Sequence, residues 1–383
     1  MRLTRFVLVG CFCATLTGVQ VVDVGAQPGP QGGIYNKPYI SGDNPVRVGG
    51  YADIEFIYDI PADASRSNAN TFDQHRLVPF MFADISDAMT FSTEIEYEHG
   101  GNVEKDGEIK IEYMIIDYRF TDPFQFRAGI VLSALGRFNL VHDSPVNDLT
   151  DRPLVSRYII PTTLSEAGAG LFGVVYPSDM AVFNYEVYVV NGFDEGIIVD
   201  TLGTVRTRGG RGSVKQDNNQ NKSLVARTSY SPRLGLEIGL SAHHGKYDDG
   251  GTDNLTIVAI DAEFRRGPLE LQLELAQVAT ERSHLGLSRQ TQFGYYLQGN
   301  WHFLQDKLLA GSTFTGVIRW DWVDFGKKGD PDDKLARLTL GVNFRPVERA
   351  AFKLDVQTNW RESPGAPNER QDYRVLASVA TYF

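Results

Sequence analysis

The chain has 383 residues, with 37 lysines and arginines against 48 aspartates and glutamates, so its formal net charge is −11. That acidity argues against non-specific nucleic-acid binding and fits a solvated acidic surface or channel. Hydrophobic residues make up 42%, too few for a helical membrane protein but compatible with a β-barrel, in which only alternate residues face lipid.

Residues 1–26 have the features of a secretory signal peptide. Two arginines open the segment, a mostly apolar run follows at 6–22, and Val-Gly-Ala at 24–26 forms a small-residue cleavage site before Gln27. The other interpretation is a lipoprotein signal, because Leu-Val-Gly-Cys at 8–11 resembles a lipobox. Too few apolar residues precede that cysteine for a usual hydrophobic region, so we favour the secretory signal.

The exported chain contains no cysteine, because Cys11 and Cys13 both lie within the predicted signal. An exported protein without disulfides needs another source of stability, and a large closed sheet supplies one. Residues 27–45 are rich in Gly and Pro and predict a loose periplasmic leader. Beyond them no apolar run reaches the ~18 residues of a membrane helix.

From residue 46 to the last residue, apolar and polar side chains alternate with the period of two that is typical of strands. The phase slips at Ile115-Ile116, which predicts a β-bulge there. The pattern predicts about sixteen strands of about ten residues, at 46–60, 71–85, 89–98, 108–120, 124–132, 166–176, 180–193, 223–231, 234–245, 255–265, 269–279, 290–303, 312–325, 335–344, 350–360 and 371–383.

Short connections alternate with longer polar ones along the whole series. A soluble sandwich or propeller does not require that alternation, and no repeat occurs at a propeller period. We therefore predict an all-β fold for 46–383: a 16-stranded antiparallel transmembrane β-barrel closed by the final strand. Aromatic residues that fit membrane-interface girdles are Trp301, Trp320, Trp322, Trp360 and Phe383.

The polar faces of these strands would line the lumen of such a barrel. At about sixteen strands a membrane barrel encloses a water-filled channel. Charged rings in a channel wall tune ion selectivity; the other possibility is that they only solvate the lumen and pair with one another. The strand arginines predicted to line the pore are Arg127, Arg227, Arg319 and Arg337.

The segment 133–165 is too long for a tight turn and too apolar for a free polar loop. A long connection with its own hydrophobic residues usually packs on the structure, and in a barrel the available place is the lumen. We predict that it folds inward and narrows the pore; the alternative role of its charges is to pair and anchor it to the wall. Its predicted constriction residues are Arg137, His142, Asp143, Asp148, Asp151, Arg152 and Arg157.

Three other loops carry notable charge. Residues 194–222 hold five cations that would attract anions or lipopolysaccharide phosphates, but their Gly- and Asn-rich composition favours a flexible external tip. The acidic pairs at 248–249 and 332–333, with Asp253, lack the spacing of a calcium loop and are expected to be solvated. The sequence therefore predicts no metal site and no cofactor.

Several motifs resemble the phosphate-selective porin O/P family. The resemblance implies a sixteen-stranded trimeric porin with an inward-folded third external loop, whose founding members bind phosphate or polyphosphate through lumenal arginines and lysines. This chain departs from them in being acidic overall and in lacking a dense basic run within 133–165. The residues that carry the resemblance are Arg127-Ala128-Gly129, Gly136-Arg137-Phe138-Asn139, His142-Asp143, Arg152-Pro153-Leu154-Val155, Ile160-Pro161-Thr162-Thr163, Glu166-Ala167-Gly168, 188–193 and 94–100.

The leading functional hypothesis is passive diffusion of small hydrophilic solutes or ions through the bacterial outer membrane. The alternatives are an anion- or phosphate-selective channel, a closed structural or surface barrel, and a barrel-embedded hydrolase. The last is disfavoured because the histidines show no Ser/His/Asp arrangement, so we expect no enzyme. The expected partners are outer-membrane lipids, lipopolysaccharide, the solutes and two further copies in a homotrimer.

Overall fold

A computed structural model describes residues 45–61, 67–101, 107–212, 214–326, 334–362 and 370–383. The predicted signal peptide, and the predicted leader except for its last residue, lie outside these ranges. Within them, no helix has the length and hydropathy of a membrane span. The sixteen strands are β1 Val46–Ile60, β2 Ala69–Ser86, β3 Met89–Glu98, β4 Glu108–Thr121, β5 Phe124–Leu132, β6 Ser165–Ser178, β7 Ala181–Val190, β8 Ser223–Arg233, β9 Leu236–Lys246, β10 Asn254–Arg266, β11 Leu269–Arg282, β12 Leu287–Phe303, β13 Thr313–Asp324, β14 Lys334–Val347, β15 Ala350–Glu362 and β16 Arg370–Tyr382.

The sheet closes on itself as an antiparallel barrel in which each strand pairs with its neighbours in sequence. Closure joins β1 to β16, with partners running from Tyr51 opposite Tyr382 to Ile60 opposite Tyr373. The last residue continues the ladder, since the Phe383 N–H donates to the Gly50 carbonyl at 2.9 Å. The predicted closed 16-stranded barrel is confirmed.

The strands present apolar residues outward and polar residues inward. Leu271, Leu340 and Leu354 are 38%, 51% and 50% exposed on the outer face, whereas Glu274 and Asp355 inside are fully buried. Because side chains alternate strictly along a strand, the choice of face is made once for the whole element. An apolar exterior of this kind requires a lipid surround.

Aromatic side chains mark two levels on the outer face. At the end with short turns, the rings of Phe303, Phe314, Phe344 and Phe352 follow one another at 4.5–6.4 Å between centroids. Trp322 lies eight residues after Phe314 on β13. At about 3.3 Å per residue and a tilt of about 40°, the two levels are roughly 20 Å apart, close to the apolar band of a membrane barrel. The Trp320 and Trp360 rings pack at 5.8 Å.

The bulge predicted at Ile115-Ile116 is wrong in position. The register shift of β4 falls between Ile111 and Tyr113, opposite Glu94 and Ile95 of β3, so Glu112 is the extra residue. Glu112 and Tyr113 both point inward, and Ile115 does too. Because the apolar Ile115 points inward, the change of alternation in the sequence falls at Ile115-Ile116, a few residues after the actual register shift. Ile115 packs in a dry patch of the lumen, described below.

Placing a charged side chain on the lipid-facing surface tests the barrel directly. Leu340 lies near the middle of β14, so Leu340→Arg is expected to lower the unfolding free energy by about 2–4 kcal/mol in vesicles. Leu309→Arg is the matched control, because Leu309 is exposed in the turn between β12 and β13 and should change stability by less than about 1 kcal/mol. Urea unfolding measures both, and equal losses would contradict the assigned membrane face.

Candidate pore constriction

The third long connection, residues 133–164 (called here the inward loop), is closed at its base by one side chain. The Asn139 amide donates to the carbonyls of Ser133 and Leu164 at 2.8 and 3.2 Å, and its oxygen accepts the Leu164 N–H at 2.9 Å. One asparagine thus ties both ends of the loop together. The loop therefore leaves and re-enters the wall at one place and projects as a unit.

The apolar residues of the inward loop pack against wall residues of strands between β4 and β13. They include most of its short helix, α1 Leu154–Tyr158. The dry patch that results is fully buried and explains the hydrophobic composition of the loop, as predicted. Its members from the loop are Leu135, Leu140, Leu154, Val155, Ile159, Ile160 and Leu164, and those from the wall include Ile115, Val225, Ile257, Val278 and Val323.

Glu274 of β11 holds the first turn of the loop. One carboxylate oxygen accepts the backbone N–H groups of Arg137 and Phe138 at 2.7 and 2.9 Å, and the other accepts the Ser156 hydroxyl at 3.2 Å. The turn brings backbone close to the wall at Gly136, where φ is +69° and an added Cβ would lie 3.0 Å from the carboxyl carbon of Glu274. A carboxylate satisfied by backbone donors in a dry place is a strong anchor.

Two further wall carboxylates repeat this arrangement. Asp321 of β13 accepts the Leu154 N–H, at the start of α1, at 2.9 Å. Asp355 of β15 accepts the Thr150 N–H at 2.6 Å. The three acceptors lie on β11, β13 and β15, so the loop is fixed along a wide arc of the barrel.

Wall cations hold loop carbonyls on the same arc. Lys353 donates to the Ser144 carbonyl at 2.7 Å. Arg345 donates to the Pro145 carbonyl at 2.5 Å and to the Asp148 carboxylate at 3.0 Å. Arg345 lies two residues before the short-turn end of β14, so the loop reaches deep into the barrel.

Asp151 is the charged centre of the loop. Its carboxylate lies 2.7 Å from Arg337 and 3.3 Å from Arg374, and Arg319 and Arg337 also donate to the Arg152 carbonyl at 3.3 and 3.4 Å. Burial alone would raise the pKa of the Asp151 carboxyl, but the surrounding guanidiniums, led by that of Arg337, hold the pKa well below its ordinary value. Asp151 therefore stays ionised at neutral pH.

The other predicted loop residues are also engaged. His142 lies 3.2 Å from Glu112 of β4, which also accepts the Thr163 hydroxyl at 3.0 Å. The Tyr382 hydroxyl of β16 donates to Asp143 at 2.9 Å. The acidic and histidine side chains of the loop thus serve as attachment points on both halves of the wall.

Two of the predicted strand arginines are sealed in ion pairs. Arg127 donates to both oxygens of Asp117 at 2.7 Å, and Arg227 binds both oxygens of Asp261. Both arginines are buried, which favours the alternative that these strand charges pair with one another. Arg137 pairs with Glu263 of β10 and remains partly exposed. That these side chains line the open passage stays a prediction.

The expectation that 194–222 is a flexible external tip is wrong. Residues 191–212 (called here the covering loop) pack on the inward loop, and Val205 and Thr207 are fully buried. The Thr207 hydroxyl donates to the Tyr158 carbonyl at 2.8 Å. Composition did not reveal this because the packing uses backbone carbonyls of another loop, which carry no sequence signal.

The covering loop brings arginines onto the inward loop. Arg208 and Arg152 donate to the same acceptor, the Thr162 carbonyl, at 2.7 and 2.6 Å, and Arg211 donates to the Thr163 carbonyl at 3.1 Å. A neutral carbonyl orients a guanidinium without cancelling its charge. We call Arg152, Arg157, Arg208 and Arg211 the arginine cluster.

The cluster stays positively charged at neutral pH. Burial, and then the neighbouring guanidinium of Arg211, lower the pKa of Arg208 to about 10. Arg157 is exposed beside Tyr158. The Glu98 carboxylate of β3 lies 3.9 Å from Arg152. An acidic side chain of the wall therefore faces the arginines.

The sequence predicted the inward loop but not the wall carboxylates that hold it or the contribution of the covering loop.

The inward loop leaves narrow clefts on two sides. The cleft toward β2 (called here the β2 cleft) is lined by His75, Arg76, Phe138, Asn147, Asp151 and Arg152. The cleft toward β11–β13 is lined by Phe138, Asp148, Gln272, Tyr296, Gln298 and Arg319.

Known proteins are similar to this chain in sequence and in the fold of the barrel. Residues 81–265 match the sequence model of the family described as phosphate-selective porin O and P. An uncharacterised protein of Aquifex aeolicus is 26% identical over 339 residues, covering 81% of this chain and 74% of that protein. The barrel superposes on the anion-selective porin from Comamonas acidovorans with a TM-score of 0.62 at 13% identity, covering 88% and 99% of the two chains. The trimer form of OmpT, an outer-membrane protein of Vibrio cholerae, gives 0.54 at 11% identity, covering 88% and 99%.

A closed sixteen-stranded barrel with an apolar exterior and a loop folded into a polar lumen defines the class of outer-membrane porins, channels for the passive diffusion of small solutes. Within that class, its residues 81–265 are similar to the phosphate-selective porin O and P family.

Proposed function

We propose that small hydrophilic solutes or ions cross the outer membrane through this lumen, and that the inward loop sets the size of the passage. The observation that carries the proposal is the set of wall carboxylates that bind backbone N–H groups of the loop. Glu274, Asp321 and Asp355 hold the loop across the lumen at 2.6–2.9 Å. A segment fixed so widely restricts diffusion instead of swinging aside.

Removing one anchor tests the size-setting role. Glu274→Ala frees the N–H groups of Arg137 and Phe138, so we expect larger and noisier single-channel conductance in planar bilayers. Glu237→Ala is the control, because Glu237 faces Arg227 and Ser231 on the wall and should conduct as the wild type does. An unchanged conductance in Glu274→Ala would contradict the proposal that the inward loop sets the size of the passage. Absence of any pore activity from folded wild-type protein would contradict the channel itself.

The arginine cluster supports a second proposal, a preference for anions. Its guanidiniums are oriented by the carbonyls of Thr162 and Thr163, so their charge remains available to a passing solute. The nearby Glu98 offsets part of that charge. The net field at this level of the passage is positive, which attracts anions although the whole chain is acidic.

Removing two members of the cluster tests the preference. A unit charge about 4 Å from an ion in water is worth about 1 kcal/mol, so Arg208→Ala with Arg211→Ala should lower the anion-to-cation permeability ratio by up to roughly fivefold. Reversal potentials in a salt gradient measure the ratio. The lysine pair Arg208→Lys with Arg211→Lys keeps the charge and should keep the ratio, as should alanines at the exposed Arg233 and Arg266. Equal ratios in the alanine pair and the wild type would refute the preference.

We propose no enzymatic role for the barrel. Thr163, His142 and Glu112 lie within 3.0–3.2 Å of one another, an arrangement that resembles a nucleophile, a base and a carboxylate. All three are buried, and His142 and Thr163 belong to the inward loop itself. Their contacts fasten the loop to β4.

We also propose that residues 1–26 are removed on export and that the protein is a homotrimer surrounded by outer-membrane lipid and lipopolysaccharide. The motives are the signal features of the sequence and the trimer form of the similar Vibrio cholerae protein. Native mass spectrometry of protein purified from outer membranes should give a complex of three chains, each beginning at Gln27. A single chain, or a chain that retains Met1, would contradict the respective part.

A further inference from the structure

A histidine and two carboxylates meet at a bulge between β1 and β2. β2 places two residues, Gln74 and His75, opposite the single residue Ile54 of β1. A bulge of this kind re-aims a side chain, and here it turns His75 inward beside Asp53 and Glu55. The strand alternation alone would leave His75 on the lipid face.

The three side chains converge on one point. Nδ1 of His75 lies 2.5 Å from Oε1 of Glu55 and 3.3 Å from Oδ2 of Asp53. A ring nitrogen carries at most one proton, so it cannot satisfy two carboxylates at once. Bonds of about 2.1 Å to a tetrahedral metal ion separate neighbouring ligand atoms by about 3.4 Å. The Asp53 distance already matches, and Glu55 needs to move by less than about 1 Å.

A second observation favours a cation at this point. Asp53 is 1% exposed, and its Oδ1 has no hydrogen-bond partner within the described part of the chain. A buried carboxylate oxygen left without a partner is costly. Lys353 attracts the Asp53 carboxylate electrostatically, but it donates its hydrogen bonds to the Ser144 and Leu149 carbonyls, and Arg76 pairs with Glu96.

The site is both rigid and accessible. The His75 ring stacks on that of His99 at 6.0 Å between centroids, and His99 is itself held by Asp73 at 2.8 Å. His75 also lines the β2 cleft beside Asp151 and Arg152. An ion in the cleft therefore reaches a preorganised ligand set that keeps positions open for water.

We propose that Asp53, Glu55 and His75 form a binding site for a divalent transition-metal ion of the Zn²⁺ type. An imidazole with two carboxylates suits such ions, whereas Mg²⁺ and Ca²⁺ prefer oxygen ligands alone. Three protein ligands leave a fourth position for water or solute, as in open zinc sites. This inference does not depend on what the channel conducts.

Calorimetric titration of Zn²⁺ tests the site in the full-length protein, purified in detergent at pH 8 and stripped of metal. The wild type should bind one ion that His75→Ala loses or binds at least about tenfold more weakly. Asp53→Asn, nearly isosteric, should show a similar loss and covers the case in which His75→Ala fails to fold. Bound Co²⁺ should give a visible absorption band that disappears in both variants.

His302→Ala is the matched control, because His302 also faces a carboxylate, Glu270 at 3.5 Å, but lacks a second one within the described residues. It should bind Zn²⁺ as the wild type does. Equal zinc affinity and stoichiometry in the wild type, His75→Ala and Asp53→Asn would overturn the proposal. Displacement of Zn²⁺ by millimolar Mg²⁺ would overturn the assigned class of ion.

Discussion

Every other feature of this protein depends on the hydrogen-bonded closure between β1 and β16. A membrane interior offers no partners for backbone N–H and carbonyl groups, so a sheet survives there only when it has no free edge. The pairing from Tyr51–Tyr382 to Ile60–Tyr373 removes that edge. Once the sheet is closed, inside and outside are separate environments, and the alternation along each strand assigns every side chain to one of them.

The lumen is filled by loops that the wall holds through charged anchors. The inward loop packs apolar residues against the wall. In the dry surroundings, where hydrogen bonds to charged groups are stronger, carboxylates such as Glu274 and Asp355 accept loop N–H groups, and Lys353 and Arg345 donate to loop carbonyls. Part of the buried charge in this barrel therefore positions backbone. The charge that we propose to act on a solute is that of the arginine cluster and of the facing Glu98.

The arginine cluster and the site of His75, Asp53 and Glu55 both arise where the chain departs from regular strand geometry. The covering loop orients Arg208 and Arg211 through carbonyls of the inward loop, so their charges are directed without being neutralised. The bulge of β2 turns His75 toward Asp53 and Glu55. In both places a departure from regular strand geometry positions side chains inside the barrel, and bulges and long loops tend to carry function.

The sequence by itself determined the barrel, its strand number, its lipid face and the inward course of the third long loop. These follow from strict period-two alternation and from hydrophobic residues such as Leu154 and Ile160 in a connection too long for a turn, and both signals are local. Only the tertiary structure decided where the bulges of β2 and β4 lie, which carboxylates anchor the loop, and that the covering loop packs inward. Those outcomes join residues on different elements, such as Arg137 and Glu274 or Thr207 and Tyr158, often through backbone groups that every residue has, so no pattern in one chain identifies them.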